Sequence, residues 1–316
     1  MLISRLVAPR ASEVEERPTP TPGAGEVVIE TIASGVCTSD LDVWRLGPGD
    51  GRPVELGHEV AGRVVAVGSA DCRWRVGELV TGLGGPGFAS HVVAADRDLL
   101  PIPAGVAPEH AIGEPIATLQ EAISRCAVVP GTRVAVVGLG FMGLGLVQLA
   151  LSLAPGLVIG VDPSAAARER AARLGAGLVM HPDEVAGFLA RSGDAGRDQR
   201  PDLVIEATGV TGGLETAGRL VRPFGTMCIV GYHHDGTARL DMELWYKGVT
   251  VVNGFCPDRG RTMRAMSDAL RMIEQRRFSY APLITHRFGL DEVDAAYAAM
   301  DRREPDFVKA VIMPSA

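Results

Sequence analysis

The 316-residue sequence is poor in cysteine: five residues, at 37, 72, 126, 228 and 256, odd in number and without a CxxC pair. A secreted disulfide framework is therefore not expected, and a reducing, cytoplasmic setting is. Long apolar runs are missing as well. Stretches such as VVIETIAS are far shorter than the ~20 residues a membrane span requires. The N-terminal MLISRLVAPRASEVEERP turns acidic and proline-rich before the hydrophobic run of a signal peptide could be completed. Basic residues are outnumbered, 31 Lys and Arg against 38 Asp and Glu for a formal charge of -7. That balance gives no electrostatic footprint for nucleic acid or for an anionic membrane. Small-molecule and cofactor-borne ligands remain.

What is present is the composition of a soluble globular protein, 47% hydrophobic and 22% charged, in a chain long enough for two domains. The first hundred residues are short β-branched runs broken by Gly and Pro: LISRLVA, EVVIETIAS, AGRVVAVG, ELVTGL and SHVVAA. Such texture predicts an all-β, barrel-like domain. Near Glu109 it changes to a helical pattern, PEHAIGEPIATLQEAISRCA. From Arg133 onward strands and helices alternate, which predicts βαβ units around a parallel sheet and an α/β fold class. After Phe255 come two helical segments and the strand FVKAVIMP, a tail whose strand suits a return to the first domain. The expected organisation is 1–116, 117–255 and a returning 256–316, with ARSGDAGRDQRPD, residues 190–202, as a polar loop.

The strand RVAVV runs into Gly138-Leu139-Gly140-Phe141-Met142-Gly143 and then an apolar helix, and Asp162 ends the next strand twenty-four residues after Gly138. Together these form a dinucleotide-binding unit. Gly138 makes the tight turn, Gly140 admits the pyrophosphate to the backbone and Gly143 lets helix pack on strand, with the phosphates at the helix N-terminus beside Phe141 and Met142. Asp162 accepts hydrogen bonds from the adenosine ribose and repels a 2'-phosphate, which favours NAD over NADP. Arg168, six residues on, works against that preference. The pair His233-His234 follows the strand TMCIVGY, at the sheet edge where ligands bind, and is a candidate for cofactor or substrate contact.

Cys37, in GVCTSD, precedes the His58-Glu59 pair of GHE by twenty-one residues, and Glu114 follows in GEP. Spacing alone leaves each of them ambiguous, since no short metal motif is present and a lone Cys is often a small buried hydrophobe. Taken together ahead of a dinucleotide fold, these segments resemble the zinc-dependent medium-chain dehydrogenases, the alcohol, sorbitol and threonine dehydrogenase family. The resemblance extends to the tail APLITHRFGLDEVDAAY.

The resemblance implies a GroES-like β-barrel catalytic domain joined to a Rossmann doubly wound domain, with a catalytic zinc in the cleft between them. Cys37 and His58 are its ligands, Glu59 is a ligand or a close carboxylate, and Glu114 stands where the sorbitol enzymes have a glutamate. Three protein ligands leave one position open for the substrate oxygen. Asp40 orients the histidine ligand, Ser39 takes the substrate proton, Thr118 packs against the nicotinamide and Lys309 approaches the pyrophosphate. The implied activity is NAD-dependent interconversion of a secondary alcohol, polyol-like or sugar-derived, with its ketone, in a homodimer or homotetramer whose VTVVNGF strands pair. Between Val80 and Pro101 stands only a short glycine-rich passage, so the four-cysteine structural-zinc lobe of many relatives is absent and one zinc per chain is expected. Asp42 occupies the place of a relay histidine, and Cys256-Pro257 replaces the Arg-Tyr pair that grips a polyol. A metal-free quinone or enoyl reductase and a silent NAD-binding regulator are the rival readings. Trp44 either walls the substrate pocket or is an ordinary packed aromatic.

Overall fold

Residues 1–117 start as a succession of strands because short runs rich in β-branched residues, such as Val27-Val28-Ile29, Val64-Val65 and Val92-Val93, are separated by Gly and Pro turns. The computed structural model of the chain describes residues 1–193, 199–234 and 236–314. The first strands are β1 (Leu2–Ala8), β2 (Ala11–Glu16), β3 (Glu26–Gly35), β4 (Glu59–Val67), β5 (Leu79–Leu83), β6 (His91–Ala95) and β7 (Leu99–Pro101). β1 and β2 form an antiparallel pair. β3 is the long organiser: it pairs with β4 along most of its length and with β6 through Glu26–Glu30. One face of these strands buries Val27, Ile29, Val60, Val64, Val80 and Val92 around Trp74. A short helix, α1 (Leu41–Leu46), follows β3 and buries Leu41 and Trp44.

The helix α2 (Gly113–Ser124) contains the boundary between two compact units, residues 1–117 with 262–316, and residues 118–261. The second unit holds β8 (Arg133–Val137), β9 (Leu157–Val161), β10 (Leu178–Met180), β11 (Leu203–Glu206), β12 (Thr226–Ile229) and β13 (Thr250–Asn253). They lie in the order β10-β9-β8-β11-β12-β13, every neighbouring pair parallel. This is the doubly wound 3-2-1-4-5-6 order, whose switch point falls between β8 and β11. β8 and β11 are almost entirely buried, as central strands covered on both faces must be. The helix after β8, α3 (Phe141–Leu151), is apolar nearly all round because it is buried against the sheet.

The tail returns to the first unit through β14 (Ile284–Phe288) and β15 (Lys309–Ile312), extending its sheet to β14-β15-β3-β4-β5-β7. The helix Val293–Arg302 buries Val293, Ala296, Tyr297 and Met300 against Leu41, Trp44 and Phe88. Residues 256–261 group with the second unit rather than with this tail, and there the Arg261 guanidinium donates to Glu121 of α2 at 2.5 and 2.9 Å. The expected loop 190–202 begins as the end of the helix Val185–Gly193, and its residues 194–198 lie outside the described residues. No helix of the described residues is long and apolar enough to cross a membrane.

Candidate active site

In the first unit the antiparallel register sets Gly35 of β3 directly opposite Glu59 of β4, which brings the two ends of the dispersed motif together. A side chain at Gly35 is excluded: a Cβ there would lie 1.8 Å from Glu59 Oε2. Cys37 follows two residues later, and His58 sits on the turn entering β4. Gly57 supplies that turn with φ of +89°, packed against Phe88. One ligand atom each from Cys37, His58 and Glu59 lies within 4.8 Å of the others.

The surrounding groups fix this trio. Asp40 Oδ2 stands 3.3 Å from His58 Nδ1 and also accepts from Gly57 N at 3.3 Å and from the Tyr297 hydroxyl at 3.4 Å. His58 Nε2 is thus the ring nitrogen left for a metal. Asp40 above all, with the Cys37 sulfur second, pushes the His58 pKa up to about 11. A site whose anions favour a positive charge so strongly, and which offers thiolate, imidazole and carboxylate donors, fits a divalent zinc ion. The Ser39 hydroxyl, exposed on the turn after Cys37, donates to Cys37 Sγ at 3.3 Å.

Glu59 is 1% exposed and Lys309 on β15 is 4% exposed; Lys309 Nζ lies 2.8 Å from Glu59 Oε1 and 2.7 Å from Oε2. A buried ammonium and a buried carboxylate each require the other, since either alone would keep the full cost of leaving water. Lys309, assigned to the pyrophosphate by correspondence, therefore has its charge committed to Glu59. Glu114, half-buried in the first turn of α2, is not part of the trio. It lies near the buried Tyr280, whose hydroxyl donates to Ile112 O. Burial foremost, then the charges of Glu59 and Glu114, push the Tyr280 pKa up.

Two other residues resolve cleanly. Trp44 is a packed aromatic, stacked on Tyr297 at 5.6 Å with its indole N–H donating to Asp294 at 2.8 Å. Asp42 accepts from Arg45 at 2.8 Å, and Arg45 also binds Asp301, so the relay position belongs to a surface ion network. Among the described residues one further group, His286, Glu304 and Asp306, has metal-ligating atoms this close together. It lies at the surface, with Glu304 Oε1 taken by Arg302 at 2.7 and 2.9 Å.

The second unit carries the nucleotide features. Gly138 turns with φ of +92°, and Gly143 of α3 packs so tightly that a Cβ would lie 1.8 Å from Gly138 O. A Cβ on Gly140, by contrast, would meet no protein atom within 4 Å, so the backbone there is open to a ligand. α3 starts at Phe141 with no side-chain cap at Gly140, and the N-terminus of a helix favours an anion. Asp162, just past β9, accepts from Leu139 N at 2.8 Å and Ser164 N at 2.7 Å. These bonds hold the carboxylate against the glycine turn, and its remaining lone pairs can accept from ribose hydroxyls. Arg168 is bound to the Asp162 and Pro163 carbonyls at 2.7 and 2.9 Å. Thr118 is half-buried on α2. These groups fit a dinucleotide.

Residues 23–104 match the alcohol dehydrogenase GroES-like domain family, and residues 142–274 match the zinc-binding dehydrogenase family. Together the matches cover more than half of the chain, which belongs to the zinc-type medium-chain dehydrogenases and is an oxidoreductase of that class. Sorbitol dehydrogenase of Halalkalibacterium halodurans is 26% identical, covering 95% of both chains. An NADP-dependent isopropanol dehydrogenase of Clostridium beijerinckii is 28% identical, covering 94% of this chain and 95% of its own. The fold is that of the 2R,3R-butanediol dehydrogenase structure from Bacillus subtilis, with a TM-score of 0.85, 23% identity and 99% of both chains covered.

Proposed function

We infer that the protein is a zinc- and NAD-dependent dehydrogenase that interconverts a secondary alcohol, polyol-like or sugar-derived, with its ketone. The observation that carries this reading is the Cys37, His58 and Glu59 trio with Asp40 behind the imidazole. The names of the relatives, sorbitol and isopropanol dehydrogenases, support the substrate class.

Cys37 and His58 would hold one zinc, Glu59 would serve as a further ligand or close carboxylate, and Glu114 is the further carboxylate of the set. The chemistry supplied when both cofactors are bound is polarisation of the substrate oxygen by zinc and acceptance of a hydride by the nicotinamide. Asp40 keeps the His58 ring in the tautomer that leaves Nε2 free. Ser39 receives the proton of the substrate hydroxyl and, being exposed, passes it to water. Lys309 neutralises Glu59 and so limits how strongly that carboxylate competes for the metal. Phe141, Met142 and the three glycines Gly138, Gly140 and Gly143 would hold the pyrophosphate of a bound dinucleotide, Thr118 would contact the nicotinamide, and Asp162 would select NAD, with the fixed Arg168 as a moderating charge.

Among the described residues β13 is the edge strand of its sheet, Val251 is exposed on it, and Trp245 and Tyr246 are exposed in the preceding short helix. Those features support a homodimer paired along that edge, or a dimer of such dimers. The five cysteines, odd in number and without a CxxC pair, support a reducing, cytoplasmic setting. The test combines metal analysis with NAD reduction over a panel of secondary alcohols. Close to one zinc per chain, with turnover lost on chelation and restored by zinc, is the expected result. Full turnover in metal-free protein would replace this reading by the quinone or enoyl reductase.

A further inference from the structure

Glu206, the last residue of β11, is fully buried, and its Oε1 accepts from Thr208 N at 2.6 Å, Gly209 N at 2.9 Å and the Thr208 hydroxyl. Three donors on one oxygen mark an ionised, accept-only carboxylate. Its other oxygen, Oε2, lies 3.4 Å from Nε2 of His233, which follows the end of β12. The two loops are pressed together: a Cβ on Gly231 would come within 2.2 Å of Gly209 N and 2.7 Å of Glu206 Oε2. The His233 side chain is only 8% exposed, and its Nδ1 has no hydrogen-bond partner among the described residues.

A buried, orphaned ring nitrogen is costly unless something pairs with it. Glu206 can only accept, so it selects the tautomer with hydrogen on Nε2, and Nδ1 is left as a bare acceptor. The missing partner must then be a donor. In a 3-2-1-4-5-6 sheet a dinucleotide lies across the carboxyl edge, one mononucleotide to each side of the switch point. β9 and β12 are each one strand beyond the β8/β11 switch, on opposite sides. Asp162 directly follows β9 and His233 lies in the loop that follows β12, so both belong to the carboxyl edge of the sheet, on opposite sides of the switch point. Asp162 is the acceptor for the adenosine ribose.

We propose that His233 Nδ1 is the acceptor for a hydroxyl of the nicotinamide ribose, held in that role by Glu206. The inference rests on the dinucleotide reading above and names a residue that the glycine turn and Asp162 do not supply. Phosphate oxygens carry no donor at neutral pH, which leaves the ribose hydroxyls and the carboxamide NH2 as the donors of that half.

The experiment measures dissociation constants of NADH, by its fluorescence, and of ADP on the full chain and on His233→Ala and His233→Asn. Losing one hydrogen bond to a buried acceptor should weaken NADH by roughly 5–10-fold in His233→Ala. ADP, which lacks the nicotinamide half, should bind unchanged. Asn places an amide oxygen near the Nδ1 position and should recover part of the loss. Reduced 3-acetylpyridine adenine dinucleotide, which has no carboxamide NH2, should show the same loss as NADH. Unchanged NADH affinity in both variants, or equal weakening of ADP, would overturn the proposal while leaving the dinucleotide reading intact. Disappearance of the loss with the acetylpyridine analogue would overturn the ribose assignment in favour of the carboxamide. Wild-type protein binding neither NADH nor ADP would overturn the dinucleotide reading itself, and His233's role with it.

Discussion

The two units build their sites in opposite ways. In the first, the candidate metal trio is made of side chains that the fold brings together from residues 37 and 58–59, and each has a dedicated neighbour: Ser39 at Cys37, Asp40 at His58, Lys309 at Glu59. In the second, the ligand edge is largely backbone, a glycine turn and an uncapped helix start within one segment, with a carboxylate to close it. A side-chain site concentrates its chemistry on a few atoms and is lost when one goes. A backbone site spreads its hydrogen bonds over many N–H groups, and single substitutions tune it instead.

The difference predicts a graded series. Cys37→Ala should have the largest effect: bound metal and turnover fall to background, while NADH affinity, measured by fluorescence, is unchanged because the second unit has its own core. Normal turnover in that variant would end the zinc reading. Ser39→Ala should retain its metal and slow hydride transfer by about 10²–10⁴, the range for removing a positioned proton acceptor. Metal analysis beside a rate measured with deuterated substrate separates the two variants. Asp162→Ala should shift the NAD to NADP ratio of kcat/KM toward NADP by roughly tenfold, about 1.4 kcal/mol. An unchanged ratio would remove Asp162 from the ribose role. Asp42→Ala should be the smallest, within a few-fold in rate, since its carboxylate is spent on Arg45 at the surface. A collapse to the Ser39→Ala level would make Asp42 an obligatory member of the proton path.

The same contrast explains what could be read from the chain alone. The nucleotide segment 133–162 is contiguous, so strand, glycines, helix and terminal acid stand in a recognisable order before any folding is considered. The candidate metal ligands are dispersed, and spacing leaves them ambiguous until a family resemblance groups them. Contacts that need tertiary topology carried no signal at all. Lys309 meets Glu59 across 250 positions, and Trp44 meets Asp294 across the same separation. His233 stood out only as a histidine beyond a strand; that its Nδ1 is orphaned follows from the burial of Glu206 and the contact between two loops. The place of Arg261 was equally hidden, because its bond to Glu121 spans 140 positions.

Glu59 and Lys309 have a consequence for anyone who would redesign the candidate metal site. With Gly35 leaving no room for a side chain, the two charges form a lock of fixed dimensions. A new ligand at 59 must either keep a negative charge or be introduced together with an uncharged residue at 309. Single-site libraries at either position would therefore be dominated by poorly folded members, and the productive variants would emerge only from paired libraries. Sequence drift at this site should then proceed by coordinated exchange, with 59 and 309 changing as one unit while Cys37 and His58 stay put.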